Sequence, residues 1–374
     1  MTIPLSSPDI TEAEIEAVTA VLRTSRLSLG PQMEAFEDAM ANYIGTPHAI
    51  AVSSGTAGLH LCIKAFGIGE GDEVIVPSFT FIAAANAIRY ECAQPVFVDI
   101  DAESLNMSPA SIEQAITPKT RAILVVHTFG RPAEIAAIMD IARRHRLLVI
   151  EDACEAIGAT YQGRKAGSFG DAAVFAFYPN KQITTGEGGM VVTRRPELAA
   201  HIRALRNQGR YDSADWLQHA ELGYNYRLSE INCALGLAQL KRIEFILQQR
   251  EKVARQYEQS LADISQLVLP ATDVPDIYIS WFVYVVRLTT ELTEADRDSI
   301  FATLTSTGIG CGRYFAPIHL QPSYAAWRNS VSLPVTEAQA SRTIALPFFN
   351  RITEDEIAQV SDTLRNALLQ IQNK

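Results

Sequence analysis

The sequence predicts an α/β protein, a largely parallel sheet covered by helices on both faces, followed by a smaller α+β lobe. Three observations carry this. From Ala49 to about Val192, short β-branched runs alternate with helix-length amphipathic stretches. After Pro270 the pattern changes to SWFVYVVRL, read as a half-buried strand, then a helix, a Gly-rich turn over Gly308 to Gly312, and a terminal helix from Glu354 to Leu369. The chain has 374 residues, 48% of them hydrophobic and 20% charged, which suits one large enzyme or two tightly joined domains. The division is placed at residues 1–245 and 246–374.

Element by element, Thr11 to Thr24 carries apolar Ile15, Val18, Val21 and Leu22 behind the capping pattern Thr11-x-x-Glu14, and reads as a surface helix packed on the core. There follow AIAV, TAGLHLCIKAF, DEVIV, FIAAANAIRY, PVFVD, AILVV, a helix through Ile138, LLVIED, AAVFAF and GMVVT, strands and helices in turn. Glu230 to Ala262 reads as one long helix or two.

With 32 basic and 42 acidic residues the net charge is −10, which repels nucleic acid and anionic membrane surfaces. No apolar run approaches the ~20 residues of a membrane helix, and no secretory leader precedes the first helix, so a cytoplasmic enzyme is expected. Five cysteines, at 62, 92, 154, 233 and 311, form no CxxC pattern and read mostly as buried free thiols, with no metal site expected.

Ligands of open α/β sheets bind beyond the carboxyl ends of the strands. After AIAV comes Ser53-Ser54-Gly55-Thr56, opening a helix with no charge in its first turn. Free backbone N–H groups there can hold a phosphate, although an ordinary Ser N-cap has the same sequence. LLVIED brings Glu151 and Asp152 to the same edge, where a carboxylate pairs with a protonated nitrogen or caps a helix. Among seven lysines, Lys64, Lys241 and Lys252 fall on amphipathic helices, Lys119 and Lys165 in turns, and Lys374 is last. Lys181 follows the apolar strand AAVFAF and the turn Tyr178-Pro179-Asn180, and desolvation among aromatics favours the neutral, nucleophilic amine. Pyridoxal phosphate needs an amine for its aldehyde, a carboxylate for its ring nitrogen and a cradle for its phosphate. Lys181, Asp152 and SSGT supply all three, and Phe81 could lie on the ring face. GIGEG at Gly67 to Gly71 follows a helix and precedes a strand, the reverse of a dinucleotide loop. His127 ends AILVV without an assignable Ser or Cys partner.

The motifs SLGPQMEAFEDAMANYIG, SSGTAGLH, GIGEGDEVIVPSFTFIA, HTFGRPAE, VIEDACEAIGATYQGRKAGSFGDAAVFAFYPNKQITTGEGGM and GYNYRLSEINCALGLAQL, with RYFAPIHLQPSY more weakly in the last lobe, resemble the DegT/StrS-type nucleotide-sugar aminotransferases. The resemblance implies a fold-type I aminotransferase with a mostly parallel seven-stranded sheet, working as a homodimer with shared active sites. Lys181 matches the cofactor-bonding lysine, which some relatives replace with histidine to become dehydratases. Asp152 matches the ring-nitrogen partner, Glu155 the residue near the ring hydroxyl, Gly55 and Thr56 the phosphate turn that Ser54 adjoins, Phe81 the stacked aromatic, and Asn225 an asparagine reaching the other subunit's phosphate. His319, Tyr314 and Arg131 fall in segments implied to face the sugar. Many relatives have serine at position 176, where this chain has alanine, and glutamine at position 131. ITTGEGG resembles enzymes aminating carbon 4 of a keto sugar. The expected reaction moves an amino group from L-glutamate to a nucleotide-linked 4-keto-6-deoxy sugar. The alternatives are amination at carbon 3, another ketone such as a cyclitol or octulosonate, and a non-catalytic carbohydrate-binding role.

Overall fold

The computed structural model describes residues 2–211, 218–327 and 331–372, and Lys374 lies outside them. Its strands are β1 (His48–Val52), β2 (Glu73–Pro77), β3 (Gln94–Val98), β4 (Thr120–Val126), β5 (Leu148–Asp152), β6 (Thr160–Tyr161), β7 (Arg164–Lys165), β8 (Ala172–Ala176), β9 (Gly189–Thr193), β10 (Leu267–Val268), β11 (Ile277–Tyr278), β12 (Tyr284–Leu288) and β13 (Thr343–Leu346). The helices are α1 (Glu12–Leu22), α2 (Pro31–Ile44), α3 (Gly55–Ala65), α4 (Ala83–Tyr90), α5 (Pro109–Ala115), α6 (Ile135–His145), α7 (Pro196–Arg206), α8 (Glu230–Lys241), α9 (Ile243–Leu261), α10 (Glu294–Ser306), α11 (Pro334–Ala340) and α12 (Glu354–Gln372).

The large sheet has seven strands in the order β1-β9-β8-β5-β4-β2-β3. β9 alone runs against its neighbours, antiparallel to β8 and β1, while β3, β2, β4, β5 and β8 pair in parallel. Strand side chains alternate between the faces. Val74, Val76, Ala122, Leu124, Ile150 and Val174 meet α3, α4 and α7, whereas Ala49, Ala51, Ala173, Phe175 and Val192 meet α2, α8 and the start of α9 on the opposite face. Both faces are covered, which is why these strands read as continuous apolar runs. The predicted parallel sheet is present, with AAVFAF and GMVVT forming an antiparallel hairpin within it.

The small lobe has the sheet β10-β12-β13, with α9, α10 and α12 closing its core. Glu230 to Ala262 proves to be two helices meeting at Arg242. The 245/246 division falls inside α9, whose Ile243, Ile246 and Leu247 pack in the large core while Val253, Ala254, Tyr257 and Leu261 pack in the small one. The first residues also belong with the small lobe. Ile3 donates to Gly308 O at 3.0 Å, accepts from Gly310 N at 2.8 Å, and is buried in that core. A single short bridge of this kind carries no periodic signal, which is why residues 1–245 read as one unit.

α1 starts at the predicted box, with Thr11 N donating to Glu14 Oε2 at 2.6 Å. Its predicted apolar stripe faces outward in part, Ile15 being 51% and Leu22 57% exposed. What holds the helix is a polar anchor, since buried Glu14 accepts from Gln239 and Arg242, each at 2.9 Å. Cys62 and Cys233 are buried, but Cys92 is exposed and Cys154 and Cys311 are half-buried, so the expectation of mostly buried thiols fails. Among the described residues no helix is long and apolar enough to cross a membrane.

Candidate active site

A cavity of about 440 Å³ opens beyond the carboxyl ends of the parallel strands, where an open sheet places its ligands. Ser54, Gly55 and Thr56 line one end. Ser54 caps α3, its Oγ accepting from Ala57 N at 3.0 Å. α3 has no acidic residue in its first turn, so its leading N–H groups and dipole favour an anion. The backbone behind this turn is closely packed. A Cβ at Gly55 would lie 2.8 Å from the Ala176 Cβ, and one at Gly189 would lie 2.6 Å from the Ser54 carbonyl oxygen. Glycine at both positions lets β8 and β9 press against the helix start, forming an open backbone cradle that a phosphate fits.

Consecutive residues of β5 serve opposite ends. Glu151 is fully buried and accepts from His127 Nε2 at 2.9 Å and from the backbone N–H groups of Gly167, Phe169 and Gly170 at 2.8, 2.8 and 2.7 Å. Burial alone would push Glu151 up, but these donors bring it below the ordinary glutamate range. His127 Nδ1 accepts from Ala133 N at 3.1 Å, so its proton sits on Nε2. Glu151 is therefore a structural tie, and His127 is its partner. Asp152, pointing the other way, lines the cavity and is served by Cys154, whose N–H donates at 3.1 Å. Burial pushes Asp152 up, offset by the Cys154 bonds and the charge of Lys181. A protonated ring nitrogen is the donor this carboxylate lacks.

Lys181 sits on the loop joining β8 to β9. Because β9 turns back, both ends of that loop lie at the ligand edge. The loop is held by Lys181 N donating to Tyr178 O at 2.9 Å and Phe177 N to Gly188 O at 3.0 Å. Lys181 Nζ lies 3.5 Å from Glu155 Oε1 and 3.8 Å from the centroid of the Phe282 ring. Glu155 also accepts from Phe129 N at 2.9 Å, and burial raises it, opposed by Lys181. Phe81, 62% exposed, lines the cavity.

The facing wall comes from the small lobe as Phe282, Tyr314 and Phe315. The lobes dock through backbone, with Ser280 N donating to Gly130 O at 3.0 Å and Phe282 N to Phe129 O at 3.2 Å. Gly130 has φ +88°, and a Cβ there would meet Trp281 N at 2.8 Å, so only glycine allows this approach. The segment SWF is thus a docking strap, and the strand begins only at Tyr284.

Three anticipated residues stand elsewhere. His319 is fully buried: it donates from its backbone to Ser78 Oγ at 3.2 Å, accepts the Ser78 hydroxyl at Nδ1 at 2.7 Å, and meets Glu337 through Nε2 at 3.3 Å. It braces the turn after β2 and has no face open to a sugar. Arg131 lines a separate small pocket with Arg287 and Trp281, because left-handed Phe129 (φ +59°) and Gly130 turn the chain away from the cleft. Asn225 is exposed and outside this chain's cavity, where its backbone bridges Asn207. Sequence reasoning passed over Cys154, Tyr178, Asn180, Phe282 and Phe315 as site residues. The first three stand beside recognised residues and could have been found by adjacency, but Phe282 and Phe315 carry only the mark of core aromatics.

An enzyme that must hold an aldehyde on an amine, keep a pyridine ring protonated and cradle a phosphate needs what this cleft offers, and the class so defined is the pyridoxal-phosphate-dependent aminotransferases. The chain belongs to the DegT/DnrJ/EryC1/StrS aminotransferase family, whose model matches residues 8–365. It is 42% identical over 369 residues to GDP-perosamine synthase of Caulobacter vibrioides, covering 98% of each chain. Among solved structures it resembles DesV of S. venezuelae, at 36% identity with 98% of each chain covered and a TM-score of 0.89. PseC of Helicobacter pylori, an aminotransferase involved in the biosynthesis of pseudoaminic acid, matches at 27% identity with a TM-score of 0.95, covering 99% of this chain and all of that one. Spr1654 of Streptococcus pneumoniae, solved in PLP and PMP forms, matches at 28% identity with TM-scores of 0.93 and 0.94, covering 99% and 100% of this chain and 100% of that chain in each form.

Proposed function

We propose that this enzyme transfers the amino group of L-glutamate to carbon 4 of a nucleotide-linked 4-keto-6-deoxy sugar. The observation that carries the reading is the placing of the Lys181 amine between Glu155 and an aromatic small-lobe wall, opposite Asp152, in a chain so similar to a GDP-perosamine synthase. That relative's product, as its name says, is a 4-amino-6-deoxy sugar on GDP, and the ITTGEGG segment agrees with amination at carbon 4.

When bound, pyridoxal phosphate supplies an aldehyde that exchanges amines and a ring that accepts electrons. The chain's own residues do the rest. The α3 N-terminus and Ser54 to Thr56 would hold the phosphate, and the Asp152 carboxylate would keep the ring nitrogen protonated. Lys181 Nζ would form the link to the aldehyde and, once free, would hold and move a proton as general acid and base. Phe282, Tyr314 and Phe315 exclude water from that transfer.

The enzyme works in the cytoplasm as a homodimer with shared sites. In support, Lys181 is the one cationic side chain among the described residues lining the cleft, against Asp152, Glu155 and Glu187. A phosphate, a sugar diphosphate and a dicarboxylate need more positive charge than this chain places there. Exposed Leu222 (79%) stands near Asn225 on a segment outside the cleft, suited to reach a second copy. The deciding experiment incubates pure enzyme with glutamate and GDP-, UDP- or dTDP-linked 4-keto-6-deoxyhexoses and locates the new amine by NMR. An amine on carbon 3, or equal efficiency with a free keto sugar, overturns the substrate reading.

A further inference from the structure

Asn180 directly precedes the reacting lysine, and its side chain lines the same cavity. Its amide is hydrogen-bonded with the Tyr314 hydroxyl across the seam between the lobes. Its Oδ1 is buried and has no donor. The amide orientation is therefore set by Tyr314, and the carbonyl oxygen of a cavity-lining residue is left without a donor. Glu155 is shared by Phe129 N and Lys181, and Asp152 is served by Cys154. Burial, with Glu155 nearby, pushes the Tyr314 phenol up, so it keeps its proton. Around this pair the small-lobe wall is aromatic, Phe282 and Phe315, and offers no substitute acceptor. A buried acceptor without a partner is unfavourable until a ligand donor meets it, and such groups discriminate strongly against analogues lacking that donor.

We propose that Asn180 is a specificity-determining residue, accepting a hydrogen bond from the hydroxyl on the carbon next to the substrate ketone. This rests on the substrate reading above. In a 4-keto-6-deoxyhexose, carbon 5 carries a methyl group and the ring oxygen, so the carbon 3 hydroxyl is the neighbouring donor. The residue beside the amine that attends carbon 4 is the natural one to read carbon 3.

The test compares the nucleotide-linked 4-keto-6-deoxyhexose with its 3-deoxy counterpart. The wild-type enzyme is expected to favour the hydroxylated sugar by roughly 10- to 100-fold in kcat/KM. Asn180→Ala should bring that ratio to within about threefold of unity. Asn180→Asp, which keeps an acceptor and can accept a hydrogen bond from the Tyr314 hydroxyl on its other oxygen, should keep the preference even where its overall rate falls. Calorimetric Kd values for the two sugars on cofactor-free protein should show the same pattern, and thermal unfolding checks that each variant is folded. A folded Asn180→Ala that slows both sugars equally, leaving the ratio unchanged, overturns the inference alone. Wild-type turnover of neither sugar overturns the substrate reading and this inference with it.

Discussion

The large-domain wall of the cleft carries four charged side chains, Asp152, Glu155, Lys181 and Glu187, whereas the small-lobe wall presents Phe282, Tyr314 and Phe315. The first is built where parallel strands and a helix N-terminus end together, so dipoles and buried carboxylates converge without long side chains having to reach. The second is hung on a backbone strap from Ser280 to Phe282 and on the turn around Tyr314. The contrast separates a charged wall able to hold and move protons from an aromatic wall that gives shape and keeps water away. Substitutions on the two walls should therefore fail differently.

The largest effect is expected from Lys181→Ala, which should lower turnover by roughly ten-thousandfold or more while leaving the fold intact. Absorbance of the bound cofactor and turnover of pure mutant check it, and near-wild-type activity would remove the amine from its role. Asp152→Asn comes next, with catalysis down roughly a hundred- to thousandfold because an amide cannot hold the ring proton. The same substitution tests the electrostatics of that wall. Asp152 is raised by burial, so the stability its neutral form lends is full below the usual aspartate value of 3.8 and is lost as pH climbs through the higher folded value. Cofactor-free Asp152→Asn should gain on wild type between pH 4 and pH 8, by on the order of 2 °C in Tm. A pH-independent difference would show that the carboxylate is not penalised by burial.

Whether either wall is completed by a second chain is tested by mixing Lys181→Ala with Asn225→Ala subunits. Each parent should be weak, and the purified heterodimer should recover about half of wild-type turnover through one intact site. Heterodimers no better than their parents would confine the site to one chain. Phe81→Ala should loosen the cofactor by about tenfold yet change thermal stability little, since the ring is largely exposed. The smallest effect is Ala176→Ser. Residue 176 lines the cavity beside Gly55, so a hydroxyl there should strengthen phosphate binding by about 1 kcal/mol, roughly fivefold slower loss of the pyridoxamine form on dialysis. Equal or faster loss would mean the phosphate does not lie beside it.

The charged wall was legible because each of its parts is local. SSGT opens a helix after one strand, IED ends another, and Lys181 follows a third, so strand-end position alone selected residues that the fold then gathered. The aromatic wall was not legible, since a cleft-lining Phe282 and a core Phe175 have the same sequence signature and differ only in what stands opposite. The same holds for His319 and Arg131. Motif position put both near a sugar, but a serine more than two hundred residues away seals the first, and two left-handed residues turn the second aside.

By itself the sequence determined the alternating α/β order, the direction in which most strands run and that Lys181, Asp152 and the SSGT turn stand at strand ends, because hydrophobic period and helix capping act over a few residues. Only the tertiary structure decided that β9 reverses to bring both ends of the Lys181 loop to the ligand edge, that Ile3 belongs to the small-lobe core, that Glu151 and Asp152 part company, and that Asn180 is left with an unmet acceptor. Each of these depends on contacts between segments far apart in the chain, where burial and hydrogen-bond satisfaction are settled by which groups arrive together.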